Sequence, residues 1–179
     1  TALNSYIKFL CMGLLMLIPA ISVIFPIMIN ESYADAKQLV PYYLLATIVS
    51  CISSFFGNIF TAIKKNNVLF YTTVAGSVVN VVSVHLLLPG VGVQGASIAL
   101  FLGFMVNNTI RAYLLKKEIQ VSIDLKFIVA WTIVYIGVSY IYLHANAIIN
   151  VLTVFVGGLL TLFVFRKELK EILGTIKNR

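Results

Sequence analysis

The stretch Asn80–Lys117, NVVSVHLLLPGVGVQGASIALFLGFMVNNTIRAYLLKK, decides the fold. Two apolar runs meet at a corner rich in Pro and Gly that carries no charge. The second run opens with small residues and closes on Asn107, Asn108, Arg111 and the pair Lys116 and Lys117. Each run has about the 20 mostly apolar residues that a helix needs to cross a hydrocarbon core of roughly 30 Å. The pattern predicts a transmembrane hairpin. Pro89, Gly92 and Gly95 make its sharp reversal, and the polar groups lie at its far end.

Outward from this hairpin the chain keeps the same character. It has 179 residues, 60% hydrophobic and 11% charged, with mean hydropathy +1.01. A soluble domain carries roughly a quarter charged residues, so this surface must be covered by lipid. Six stretches are long and apolar enough to span: Phe9–Ile29, Leu39–Ala62, Val68–Leu88, Gly95–Leu115, Phe127–Leu143 and Ile148–Phe165. A closed barrel is the other spanning structure, but barrel strands alternate apolar and polar over about ten residues, and these runs do not alternate. The expected fold class is all-α, a polytopic transmembrane helix bundle of six spans. Residues 1–117 hold the first four spans, 118–165 two more, and 166–179 a cytoplasmic tail.

Twelve of the thirteen Lys and Arg residues fall before the first span, after the sixth, or near the second and fourth connections; Lys37 is the exception. The positive-inside rule puts that side, and both chain ends, in the cytoplasm. A net charge of +7 spread in this way sets topology, and nucleic acid is not expected as a partner; anionic lipid headgroups are a secondary one. Leu169, Ile172, Leu173 and Ile176 give the tail an apolar face suited to a helix lying on the membrane, with a partly frayed tail as the alternative. The chain begins at Thr1 with no charged leader, so we expect no signal peptide and a fragment of a longer protein. Cys11 and Cys51 read as buried small hydrophobes without metal-ligand spacing.

Polar residues inside the spans gather in stripes. The second span aligns Thr47, Ser50, Cys51, Ser54, Gly57, Asn58 and Thr61, and the third Thr73, Gly76, Ser77, Asn80 and Ser83. The fourth steps through Gly95, Ala99 and Gly103 to Asn107 and Arg111. Such stripes either join helices, since small and polar residues drive packing in lipid, or line a water-accessible cavity. Asn58, Asn80, Asn107 and Asn108 favour the cavity, because an amide needs several partners. Pro19 and Pro26 predict a kink or local unwinding in the first span.

Arg111 is the one charge well inside a span, where burial would cost roughly 2.5–3.5 kcal/mol on insertion scales. Either it snorkels toward the headgroups beside Lys116, or it faces a cavity, where its fork suits a phosphate or diphosphate. All six acidic residues lie outside the spans. His85 and His144 read as interfacial. We find no catalytic constellation, no metal cluster and no nucleotide loop, and no cofactor is expected.

The run NVVSVHLLLPGVGVQGASIAL resembles the hairpin of polysaccharide flippases. These are the Wzx-like O-antigen and capsule transporters of the multidrug/oligosaccharidyl-lipid/polysaccharide flippase superfamily, related to the MATE exporters. Asn80, Pro89, Gly92, Gly95 and Ala96 match that family's pattern, and Ser97 stands where Ala is usual. Upstream, NESYADAKQLV is similar to the family's outer loop through Tyr33 and Ala36, with Asn30 near the expected Gly. Asn66 and Asn67 follow a two-lysine turn of the kind the family carries. The resemblance covers about Phe9 to Lys117.

It implies two helical lobes around a central cavity, with this chain supplying the last six helices of fourteen. It also implies export of undecaprenyl-diphosphate-linked oligosaccharide across the bacterial cytoplasmic (inner) membrane by alternating access. The partners would be the lipid-linked oligosaccharide, membrane lipids and the missing N-terminal helices of the same protein. On this reading Arg111, Asn107, Asn108, Asn80 and Asn58 are the candidate substrate-binding residues, and the protein is not an enzyme. A MATE-type multidrug exporter is the alternative on the same fold. A membrane-embedded glycosyl- or acyltransferase is the alternative from another class, and a non-transporting membrane scaffold a further one.

Overall fold

A computed structural model describes residues 2–28, 36–117 and 124–166. It contains six helices: α1 (Ala2–Met28), α2 (Val40–Ala62), α3 (Asn66–Val91), α4 (Gln94–Lys116), α5 (Leu125–His144) and α6 (Ala147–Val164). All six are long and apolar enough to cross a membrane, and the described residues contain no strand. The chain is an all-α, multi-pass membrane protein. The expected amphipathic tail, the loop resemblance at residues 30–35 and most of the connection after Lys117 lie outside the described residues.

Helices α1 and α3 differ from expectation, each for a local reason. Helix α1 starts at Ala2, ahead of the apolar run at Phe9. Asn4, Ser5 and Lys8 lower the hydropathy there, but no Gly or Pro stops a helix. Helix α1 also continues through Pro19 and Pro26 to Met28 without unwinding; prolines are tolerated in membrane helices where local adjustments re-satisfy the freed carbonyls. Helix α3 runs past Pro89 to Val91. The reversal into α4 is therefore tighter than a Pro89–Gly95 corner, with only Gly92 and Val93 between the helices. Gly92 takes φ +68°, a left-handed angle that suits a residue without Cβ, and its N–H bonds the Leu88 carbonyl at 3.0 Å.

The contacts gather into two units. One holds Thr1–Ile7 and Ser32–Asp124, the other Lys8–Glu31 and Leu125–Arg179. In the first unit α4 lies against both α2 and α3. Helix α2 turns its residues Ala46, Val49, Ser53, Phe56 and Phe60 inward, the three- and four-residue spacing of one helix face. It ends in a Schellman motif: Lys65 N–H reaches the Phe60 carbonyl at 2.9 Å and Lys64 N–H the Thr61 carbonyl at 3.0 Å, with Lys64 left-handed at φ 59°. Helix α4 buries a ridge of every fourth residue: Gly95, Ala99, Gly103, Asn107, Arg111 and Leu115.

In the second unit, α1 beyond Lys8 meets α5 and α6. Trp131 Nε1 donates to the Cys11 carbonyl at 2.8 Å, and Thr161 Oγ1 lies 3.7 Å from Met16 Sδ. Asn150, which sequence reading passed over, is fully buried. Its Nδ2 donates to the carbonyls of Ala145 at 3.2 Å and Asn146 at 3.3 Å, tying the α5–α6 turn.

Candidate functional site

Helices α3 and α4 approach until their backbones touch. A Cβ placed on Gly76 would sit 2.8 Å from the Gly103 carbonyl oxygen, and one on Gly103 would sit 2.7 Å from the Gly76 carbonyl oxygen. The crossing is reciprocal. The Asn107 Cβ lies 3.1 Å from the Gly76 Cβ position, and the Asn80 Cβ 2.9 Å from that of Gly103. Both helices carry the same short pattern here, Gly-x-x-x-Asn, as GSVVN over 76–80 and GFMVN over 103–107. Each glycine admits the partner helix, and each asparagine one turn on stands over the partner's glycine. Small residues therefore do the packing, as lipid demands of helix interfaces.

One turn beyond Asn107, Arg111 turns inward. Only 6% of its surface is exposed. Its Nε donates to Thr72 Oγ1 at 2.9 Å. Nη1 donates to the Ser53 carbonyl at 2.7 Å and to Ser53 Oγ at 3.0 Å, and Nη2 donates to Thr73 Oγ1 at 3.0 Å. The guanidinium thus binds α2 and α3 at once, through neutral oxygens. The snorkelling alternative is overturned: a side chain committed to three residues on two helices is not reaching for headgroups. Lys117 does occupy the polar end of α4, its Nζ 4.8 Å from the Tyr113 ring centre. Gly57 lies beside the arginine, where a Cβ would meet Nη1 in ordinary van der Waals contact at 3.5 Å.

The candidate residues separate. Asn80 and Asn107 line one cleft of about 80 Å³ with Thr73 and Ser77, and Arg111 touches that cleft's wall through Thr73. Asn108 faces the other way and donates from Nδ2 to the Val49 carbonyl at 2.8 Å, joining α4 to α2. Asn58 is exposed on α2, on the stripe of Thr47, Ser54 and Thr61 whose hydroxyls bond carbonyls four residues back. Pro89 lies in the last turn of α3 and Gly95 in the first turn of α4. Gly95 has a close-approach role: its Cβ would come within 2.9 Å of the Leu87 carbonyl carbon.

Sequence reading missed Ser53 and Thr72. Ser53 sits on the apolar inward face of α2, off the polar stripe, where an isolated hydroxyl resembles an ordinary core residue; Thr72 sits at the edge of the α3 stripe, one turn before Gly76. The available signal was a lone hydroxyl on an inward face of a helix neighbouring one that carries an intramembrane arginine.

No family model matches this sequence, and no curated protein or solved structure matches it.

Proposed function

We propose that this chain is the C-terminal part of a transporter that flips undecaprenyl-diphosphate-linked oligosaccharide across the bacterial cytoplasmic membrane for cell-surface polysaccharide export. Its basic connections and both ends lie in the cytoplasm. The missing N-terminal helices complete the path, and α2–α4 form one wall.

The observation that carries this reading is the set of polar groups in α2–α4. Arg111 keeps a full charge inside the span against neutral partners, and none of the six described helices contains an acidic residue to neutralise it. Asn58 and Ser77 are exposed within the spans. Charged and amide groups at this depth are costly against lipid and ordinarily face protein or a water-filled path. A wall with net positive potential, an exposed amide and an exposed hydroxyl suits a substrate that joins an anionic diphosphate to a hydroxyl-rich sugar. The resemblance of the α3–α4 hairpin to polysaccharide flippases supplies the substrate class.

The test is leaflet translocation of a fluorescent undecaprenyl-diphosphate oligosaccharide by the complete protein in proteoliposomes. Protein-dependent translocation is expected. Translocation of cationic drugs in its place, or none of the lipid-linked sugar, overturns the proposal.

A further inference from the structure

Asn107 Oδ1 is a buried carbonyl oxygen without a hydrogen-bond partner, on a residue only 5% exposed. Burying such an acceptor unsatisfied is unfavourable. The residue lines the α3–α4 cleft, whose wall also includes Thr73, Ser77, Asn80, Leu100 and Phe104. The cleft volume of about 80 Å³ equals that of two or three waters in the liquid.

The hydrogen-bonding groups restrict what fits. Thr73 Oγ1 accepts from Arg111 Nη2, so its own proton is left to donate elsewhere. Arg111 behind it makes the wall positive and disfavours a cation. Ser77 and the two amides each offer both a donor and an acceptor. With the amide in this orientation a bare anion has no proton for Asn107 Oδ1; turned over, the amide would offer it Nδ2–H. A hydroxyl has both halves: its proton goes to Asn107 Oδ1, and its oxygen accepts from Thr73 or Asn80. It serves either orientation of the Asn107 amide equally. Leu100 and Phe104 add apolar surface suited to the C–H face of a sugar.

We propose that this cleft is a carbohydrate subsite, taking one hydroxyl-bearing edge of a sugar between Thr73, Asn80 and Asn107. The source of that sugar rests on the transporter reading above; the chemistry of the cleft does not.

The complete protein in nanodiscs tests this by saturation-transfer NMR with methyl α-glucopyranoside and methyl N-acetyl-α-glucosaminide. Methyl phosphate is the anionic probe. One of the glycosides is expected to bind weakly. Asn107→Ala should weaken it about tenfold, the scale of one or two hydrogen bonds, and Ser77→Ala about threefold. Thr132→Ala, on α5, should leave it unchanged. Asn107→Ala keeps the Cβ that meets Gly76; should it nevertheless unfold, the exposed Ser77 variant carries the test. No glycoside binding to the wild type (an ordered-water site only), binding indifferent to Ser77→Ala and Asn107→Ala, or methyl phosphate binding in place of glycoside each overturns the proposal.

Translocation by the same protein preparations, reconstituted in proteoliposomes, separates the two proposals. A protein that binds glycoside in the cleft but flips no lipid keeps the subsite and loses the transporter reading. One that flips lipid-linked sugar without glycoside binding does the reverse.

Discussion

A guanidinium inside a membrane can lower its energy in three ways: reach the headgroups, meet a carboxylate, or surround itself with oxygens. Arg111 takes the third way, with four hydrogen bonds to neutral oxygens of Ser53, Thr72 and Thr73. The planar fork matters, because its three nitrogens face different residues at once. Lysine, with one nitrogen, cannot span Ser53 and both threonines. Arg111→Lys is therefore expected to lower stability by roughly 2 kcal/mol, the scale of one hydrogen bond to a charged group, as read by denaturant unfolding in detergent micelles. An Arg111→Lys protein as stable as the wild type would mean that the charge finds the headgroups after all. At this scale the sequence was half legible. An intramembrane arginine is conspicuous in a chain with 11% charged residues, so Arg111 stands out. Of its partners, Thr73 lies on the polar stripe of α3, but Ser53 does not stand out, because it shares the inward face of α2 with Ala46, Val49, Phe56 and Phe60.

Among the helices, the α3–α4 crossing shows how glycine spacing becomes geometry. Gly76 and Gly103 are needed because carbonyl oxygens of the opposing backbone stand where their side chains would be. Backbone cannot move aside as a flexible side chain can. Gly103→Ala or Gly76→Ala is expected to cost about 1–3 kcal/mol, as overpacking does. Gly137 in α5 is the control, with nothing within 4 Å of its Cβ position. Gly137→Ala should be neutral or stabilise by up to about 1 kcal/mol through helix propensity. Thermal unfolding of the three variants decides this, and equal effects at Gly103 and Gly137 would remove the close crossing. The six spans were legible because hydrocarbon thickness imposes a length that sequence must meet. The exact reversal was not, because Pro89 signals a stop in general but is accommodated here in the last turn of α3. The reciprocal Gly-x-x-x-Asn pair was legible in principle and is recognisable only when the two antiparallel copies are compared.

For the whole molecule, six spans and the one-sided distribution of Lys and Arg make a topology that labelling checks. In intact cells, an impermeant maleimide should reach Lys37→Cys and should reach Lys64→Cys or Lys117→Cys only after permeabilisation. The reverse pattern would invert the orientation and place the Arg111 end of α4 outside. On the transporter reading, the buried charge of Arg111 serves transport and is not merely a clasp between helices. Replacing a buried polar group with an apolar one of similar volume is often neutral or stabilising, so Arg111→Met separates the two roles. The most direct measurement is translocation of lipid-linked oligosaccharide by the complete wild-type and Arg111→Met proteins, matched for folding by their melting temperatures. We expect a folded Arg111→Met protein that translocates at least about tenfold more slowly, a barrier about 1.4 kcal/mol higher once the wall loses its positive charge. A folded Arg111→Met protein that translocates at the wild-type rate would contradict the claim.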